Sequence, residues 1–322
     1  MSGEQEPIDL SRIRTVPLES RPSLVETGSF AKATLPGPAF ESLLESIPRI
    51  HAGSSFRALV AAVVAARQAG APVIQGMGAH VIKVGLSPLV IDLLERGVVT
   101  AVALNGAGII HDFEIAVVGR SSEDVGKGLE DGSFGMAQET AEQLNLAAKQ
   151  AQERGIGLGR AVGERLLELD PPHVSQSILA TCARLRVPAT VHVALGTDII
   201  HMHGNADGAA IGAASMADFR LLAGVVSRLS GGVYLNVGSA VILPEVFLKA
   251  LNLARNVGHE VSGFTTANMD QIRHYRPRVN VLSRPGGQAI ELVAHHELLY
   301  PLFRLAILSS MEAAGTGKEK KS

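Results

Sequence analysis

The feature that most constrains this chain is a short run of apolar, β-branched residues that stops at a glycine and leads into a helical pattern. Its clearest example is residues 98–114, VVTAVALNGAGIIHDFE. The run 98–104 has no polar alternation, which fits a parallel strand covered on both faces. The turn Asn105-Gly106-Ala107-Gly108 then lets the backbone come close to a ligand, and the first amides of the following helix face outward as anion donors. That geometry suits a phosphate. Two glycines in a strand-to-helix turn also serve as a plain tight turn, and N-G-A-G is not the spaced G-x-G-x-x-G fingerprint.

The same unit recurs along the chain. Residues 72–75 read as a strand, ending in GMGAHVIKVGLSP with His80 and Lys83. Residues 188–195 read as another, ending at Gly196 before a loop with Asp198, His201, His203, Asn205 and Asp207. Further strands are expected at 232–235, before a turn with Gly238 and Ser239, and at 261–265, leading into a turn with Thr266 and Ala267. Segments 279–282 and 289–293 read as further strands or one broken one. Helical spacing fills the intervals, including 54–69, 137–154, 175–185, 213–230 and 298–313.

Short strands separated by longer helices predict an α/β fold, a mostly parallel Rossmann-like sheet with helices on both faces. Ligands of such sheets bind at the carboxyl ends of the strands. Residues 1–36, broken by Pro7, Pro17, Pro22 and Pro36, read as an N-terminal arm that orders by docking, with a neighbouring subunit among the candidate surfaces. A single domain is expected over 37–313, followed by a disordered tail, 314–322.

Composition narrows the partners. Aromatics are 4% with no Trp, so stacking platforms for single-stranded nucleic acid are poorly supplied, and a net charge of −2 gives no general basic field for nucleic acid or a membrane surface. A small-molecule substrate or a protein partner fits better. Cys182 is the only cysteine, so no intrachain disulfide can form and a cytoplasmic location is expected. Within SILATCARL it reads as a small buried hydrophobe, not a nucleophile. The first residues lack the basic and apolar regions of a secretion leader, and Gly, Pro or charge breaks every apolar run before membrane-spanning length.

With these loops in view, the order of motifs resembles the deoxyhypusine synthase family over about residues 78–303. That family's T-A-G-G-x-E-E-D turn is similar to Asn105-Gly106-Ala107-Gly108-Ile109-Ile110-His111-Asp112, and its T-D motif to Thr197-Asp198. Its glycine-rich strand end is similar to Val237-Gly238-Ser239, and its N-T-A to Thr265-Thr266-Ala267. Its final V-Y-A-D-A-x-L-V-F-P-L-L segment resembles residues 292–303, LVAHHELLYPLF. The resemblance implies NAD as cofactor, a homotetramer, and a reaction that oxidises spermidine and transfers its aminobutyl group to a protein lysine. It places His80, Asn105, Gly106, Ala107, Gly108, Asp198, Gly238, Ser239, Thr266 and Ala267 at the cofactor.

The departures bear on the reaction. Acids that face the polyamine in the family fall on His111, near His203 and on His295. The family's histidine falls near Leu243 or Pro244, and no lysine lies between Lys249 and Lys318 to form its imine. Imidazoles in place of carboxylates no longer attract ammonium groups. The sequence therefore predicts an NAD-dependent enzyme that oxidises, or transfers a group from, a small substrate, an amine among the candidates, other than the family's own. His111, Asp112, His203, His295 and Lys83 are its candidate catalytic residues. The alternatives are a genuine deoxyhypusine or homospermidine-type transferase with a displaced lysine, and a non-catalytic oligomeric nucleotide-binding protein. A metal held by Asp198, His201, His203 and the pair His295-His296 ranks below hydrogen bonding by the same side chains, because H-x-H on a loop matches no zinc spacing.

Overall fold

The computed structural model describes residues 7–319, the last six by their helical backbone alone. In chain order the elements are β1 Val25–Glu26, α1 Pro38–Ser46, α2 His51–Ala69, β2 Val73–Met77, α3 His80–Lys83, α4 Ser87–Glu95, β3 Ala101–Asn105, α5 Gly106–Val118, β4 Arg120–Ser121 and α6 Val125–Asp131. There follow α7 Gln138–Arg154, α8 Leu158–Leu169, α9 Ile178–Leu185, β5 Ala189–His192, α10 Gly208–Val226, β6 Val233–Val237, α11 Ile242–Asn256, β7 Thr265–Asp270, β8 Gln288–Val293 and α12 His296–Glu319.

Six strands form one parallel sheet in the order β5-β3-β2-β6-β7-β8. Counted among themselves they run 3-2-1-4-5-6, the Rossmann order, with the chain reversing its direction of travel between β2 and β6. Alternate side chains of β2, β3 and β6 feed two cores. Val73, Met77, Val102, Leu104, Val233, Leu235 and Val237 face the larger one, with α2, α4, α5 and α12. Ile74, Ala101, Ala103 and Tyr234 face the smaller, with α10 and α11. Burial on both sides is why these strands read as unbroken apolar runs.

The expected alternation is present, with shifted boundaries. β7 starts at Thr265 instead of ending there, so Thr266 and Ala267 lie within a strand and not in a turn. Residues 277–283 form a π-helix, not a strand, opened by Pro277 in its first turn. The polar stretch after Ser121 contains α6, and α10 starts early because the Asp207 carboxylate accepts from the amides of Ala209 and Ala210.

By length and composition α10 is apolar enough to cross a membrane. Its Asp218 is nevertheless committed to this fold. The buried Oδ2 accepts from the amides of Val191, 2.8 Å, and Gly159, 2.9 Å, so it satisfies a donor on the outer strand β5. Burial pushes the Asp218 carboxyl up to about 7, against those same amides.

The N-terminal arm docks on its own chain. The Val16 amide donates to Met136 O, the Val16 carbonyl accepts from Gln138, and β1 pairs antiparallel with β4, Val25 opposite Ser121. Residues 1–6 of the arm lie outside the described residues. Helix α12 continues to Glu319, and of the expected tail 320–322 lie outside the described residues.

Candidate active site

The strand reversal places the ends of β2 and β6 side by side. A Cβ on Gly78 would overlap the carbonyl of Gly238, and Gly238 itself has φ +64° with the His296 ring against it. These glycines are required by backbone meeting backbone and imidazole. The His80 ring lies 5.3 Å from that of His296, whose Nε2 bonds Met269 O at 3.1 Å. Shared protons are disfavoured there: burial, then the neighbouring His296, holds His80 below the ordinary histidine range.

Towards β3, at the same carboxyl edge, a cavity of about 220 Å³ opens. It is lined by Lys83 from α3, Ala107, His111 and Glu114 from α5, Asp198 from the loop after β5, and Arg21 from the N-terminal arm. Four separate stretches of sequence thus meet at one rim. α5 begins there because Asn105 caps it, its Oδ1 accepting from the Gly108 amide at 3.2 Å. That cap leaves the amides of Gly106 and Ala107 as the first donors of the helix.

His111 is held on the far side of the cavity by a chain of hydrogen bonds. Its Nδ1 lies 2.6 Å from Ser121 Oγ, and Ser121 Oγ donates to Glu114 Oε2 at 2.7 Å. Glu114 is itself gripped by Arg21, Nη1 to Oε1 at 2.8 Å and Nη2 to Oε2 at 2.7 Å. Burial pushes the His111 imidazolium down to about 4; Glu114 opposes that shift while Lys83 and Arg21 reinforce it. At neutral pH the ring is uncharged. Because the hydroxyl proton goes to Glu114, the short contact to Ser121 needs a proton on His111 Nδ1, and Nε2 is left with a lone pair.

Asp198 completes the opposite wall. Burial pushes its carboxyl up to about 6, and Oδ2 is buried without a hydrogen-bond partner among the described residues. His201 does not supply one, its Nε2 standing 3.9 Å away while its Nδ1 accepts from the amides of Gly196 and Asp198.

The structure brings Lys83, Ala107, His111 and Asp198 into this cavity, with Asn105, Gly106 and Gly108 in the turn beside it, and places the other expected residues outside its lining. Asp112 points the other way: fully buried, it accepts from Ser177 Oγ, 2.5 Å, and from the amides of Ile178, 2.8 Å, and Leu179, 3.1 Å, capping α9. Neighbours in a helix diverge by about 100°, so one faces the cavity and the other the core. His203 is buried and bonded to Gly135 O, 2.8 Å, outside the cavity lining. His295 sits 65% exposed beyond β8 beside Glu297. Thr266 and Ala267 are buried in mid-strand, with no face towards the rim. Gly106 is kept bare by Asp198 and Gly108 by Leu104, while Ser239 Oγ accepts from the Leu243 amide. Among the described residues no group of three His, Cys, Asp or Glu side chains is placed to hold a metal. Arg21, Glu114 and Ser121 had no motif to announce them; the only sequence signal was an arginine and a glutamate inside otherwise apolar or proline-broken stretches.

No protein-family model matches the sequence, and no curated protein matches it. Solved structures do. A conserved LOR/SDH protein from Methanococcus maripaludis S2 superposes with a TM-score of 0.50 at 16% identity, over 83% of this chain and 71% of that one. The likeness is one of fold. A protein assigned as a deoxyhypusine synthase from Entamoeba histolytica, the family that the motif order resembles, is also found, at TM-score 0.48 and 13% identity over 85% of this chain and 93% of that one. AgrE, solved as a ternary complex with ornithine and NAD+, gives TM-score 0.49 and 14% identity over 88% of this chain and 35% of that one. This chain therefore spans about a third of the length of AgrE.

Proposed function

We propose that this chain is an NAD-dependent enzyme that oxidises, or transfers a group from, a small substrate bearing an amine or hydroxyl. The observation that carries this reading is the meeting of Lys83, His111, Asp198 and the first turn of α5 in one cavity at the carboxyl edge of a Rossmann-ordered sheet. The residues fit the cofactor's reacting half. The amides of Gly106 and Ala107 and the Lys83 ammonium suit phosphate oxygens, and the Asp198 carboxylate, which lines the cavity, suits a hydroxyl or amide N–H. Bound NAD supplies a hydride acceptor. His111 Nε2 would take the proton of the substrate's N–H or O–H, and the Ser121–Glu114 chain keeps that nitrogen free to do so.

A titration of the purified protein with NAD, followed by calorimetry, tests this; no heat at millimolar cofactor removes the reading and leaves the non-catalytic one. One observation favours a second reading, an aminobutyl transferase: Lys83 lies in the same cavity as the uncommitted carboxylate. Borohydride trapping of a spermidine-derived adduct on Lys83 in the presence of NAD decides between the two.

We also propose a homotetramer, as the family resemblance implies, and a cytoplasmic location, which the single cysteine supports. What supports assembly is the outer face of α10, where Gly208, Ala209, Gly212, Ala213 and Met216 are exposed. Leu195 nearby is 60% exposed.

A further inference from the structure

We propose that Arg21 is a positioning residue, which reaches in from the N-terminal arm to keep Glu114 anionic and so fixes His111 with its proton on Nδ1 and its lone pair on Nε2. This rests on the reading of His111 as the proton acceptor.

Hydrogen counting carries it. Ser121 has one hydroxyl proton and two contacts, Glu114 at 2.7 Å and His111 at 2.6 Å. An ionised carboxylate can only accept, so the hydroxyl must donate to Glu114 and accept from His111. A protonated Glu114 reverses the chain: the carboxylic acid donates to Ser121, the hydroxyl turns its proton to His111 Nδ1, and the ring carries its hydrogen on Nε2. The acceptor nitrogen then vanishes from the cavity side with no atom displaced by more than a rotation.

What decides the charge of Glu114 is its surroundings. The residue is 1% exposed, and its other partner, Thr140 Oγ1 at 3.2 Å, is neutral. An unpaired buried carboxylate takes up a proton, whereas a bidentate guanidinium holds it ionised. Arg21 is the cation that contacts it, itself 8% exposed and shared with Glu123 at 3.4 Å. The arm is built to deliver that guanidinium. The Leu18 amide donates to Glu139, the Leu24 amide donates to Ser122 O, and β1 pairs with β4, the strand that carries Ser121 itself. The same strap therefore sets both the hydroxyl and the acid it bonds.

The test is nitrogen-15 NMR of the histidine-labelled full chain at pH 7, reading which ring nitrogen of His111 is protonated. Wild type is expected with the proton on Nδ1. Arg21→Met is expected to move it to Nε2, interchanging the two nitrogen shifts, and so is Arg21→Met/Glu114→Gln, whose amide is free to donate to Ser121 once no guanidinium faces both oxygens of residue 114; Arg21→Lys restores the wild-type pattern in part. A folded Arg21→Met or double-variant protein that keeps Nδ1–H overturns the proposal, as does a wild type with its proton on Nε2. Should Arg21→Met not fold, the double variant, which leaves no buried carboxylate unpaired, decides alone. An NAD titration of the same wild-type sample reads the function separately: its failure with the tautomer as expected removes the enzyme reading and leaves the hydrogen-bond chain intact.

Discussion

Asp198 Oδ2 occupies the space into which any side chain at position 106 would project, so that Gly106 is glycine because of Asp198 and not only because of a ligand. Gly106→Ala must therefore push the carboxylate off the first turn of α5. Overpacking of this kind costs about 1–3 kcal/mol. A thermal melt is expected to show the loss, and an NAD titration of the variant to show weaker binding, since Asp198 lines the cavity. Wild-type stability together with wild-type affinity would rule the contact out.

The His111 ring titrates well below an ordinary histidine. Its folded-state value is pushed down to about 4 from 6.5, so the stability it contributes is present above pH 6.5 and is lost as pH falls through 4. Proton NMR of the ring is expected to give a midpoint near 4. Once a substrate is known, the acid limb of its pH–rate profile should lie near that value and not near 6.5. A midpoint in the ordinary range would mean that the ring is solvated, and the cavity wall drawn from it would be wrong.

Asp218 gives the opposite sign. Its folded-state value is raised to about 7, so its contribution is complete below about pH 4 and is lost as pH rises through 7. Asp218→Asn keeps an accepting oxygen for Val191 and Gly159 and removes the charge. The variant is expected to gain stability relative to wild type between pH 4 and 7 in denaturant melts. Asp218→Ala, which orphans two buried amides, should lose about 3 kcal/mol.

What could be read from the sequence follows from how each feature is encoded. β2 and β3 were legible because burial on both faces writes a continuous apolar run. β7 was displaced because its residues Thr265, Thr266 and Asn268 are polar yet buried, Asn268 Oδ1 accepting from Asn236 of the next strand at 2.8 Å. A hydrogen bond between buried side chains leaves no periodic mark. Lys83, His111 and Asp198 were legible as polar residues in the segments that follow strands, the edge at which sheets of this kind bind ligands. Arg21 was not, since its partner stands 93 residues away and nothing local distinguishes it from any arginine of a proline-broken arm.

Asp112 separates structure from chemistry one residue away from His111. It caps α9 through Ser177, Ile178 and Leu179 and touches nothing in the cavity. Asp112→Ala is expected to lower stability by about 2 kcal/mol while NAD affinity, measured on the folded fraction, stays at the wild-type value. A selective loss of binding with an unchanged melt would return Asp112 to the site.

The exposed face of α10 makes the assembly testable without any ligand. Met216 is 51% exposed and Leu221 42%, on a helix whose other outward positions between 208 and 217 are small and uncharged. A charge placed there has no partner if a second copy packs on this face, and desolvating an unpaired charge costs several kcal/mol. Light scattering of wild type at micromolar concentration is expected to give the mass of four chains, and Met216→Glu a smaller species with an unchanged far-ultraviolet spectrum. Because the α10 face lies apart from the cavity lined by Lys83 and His111, the dissociated variant should keep its affinity for NAD. A wild type that scatters as one chain would mean that this face needs no copy of itself.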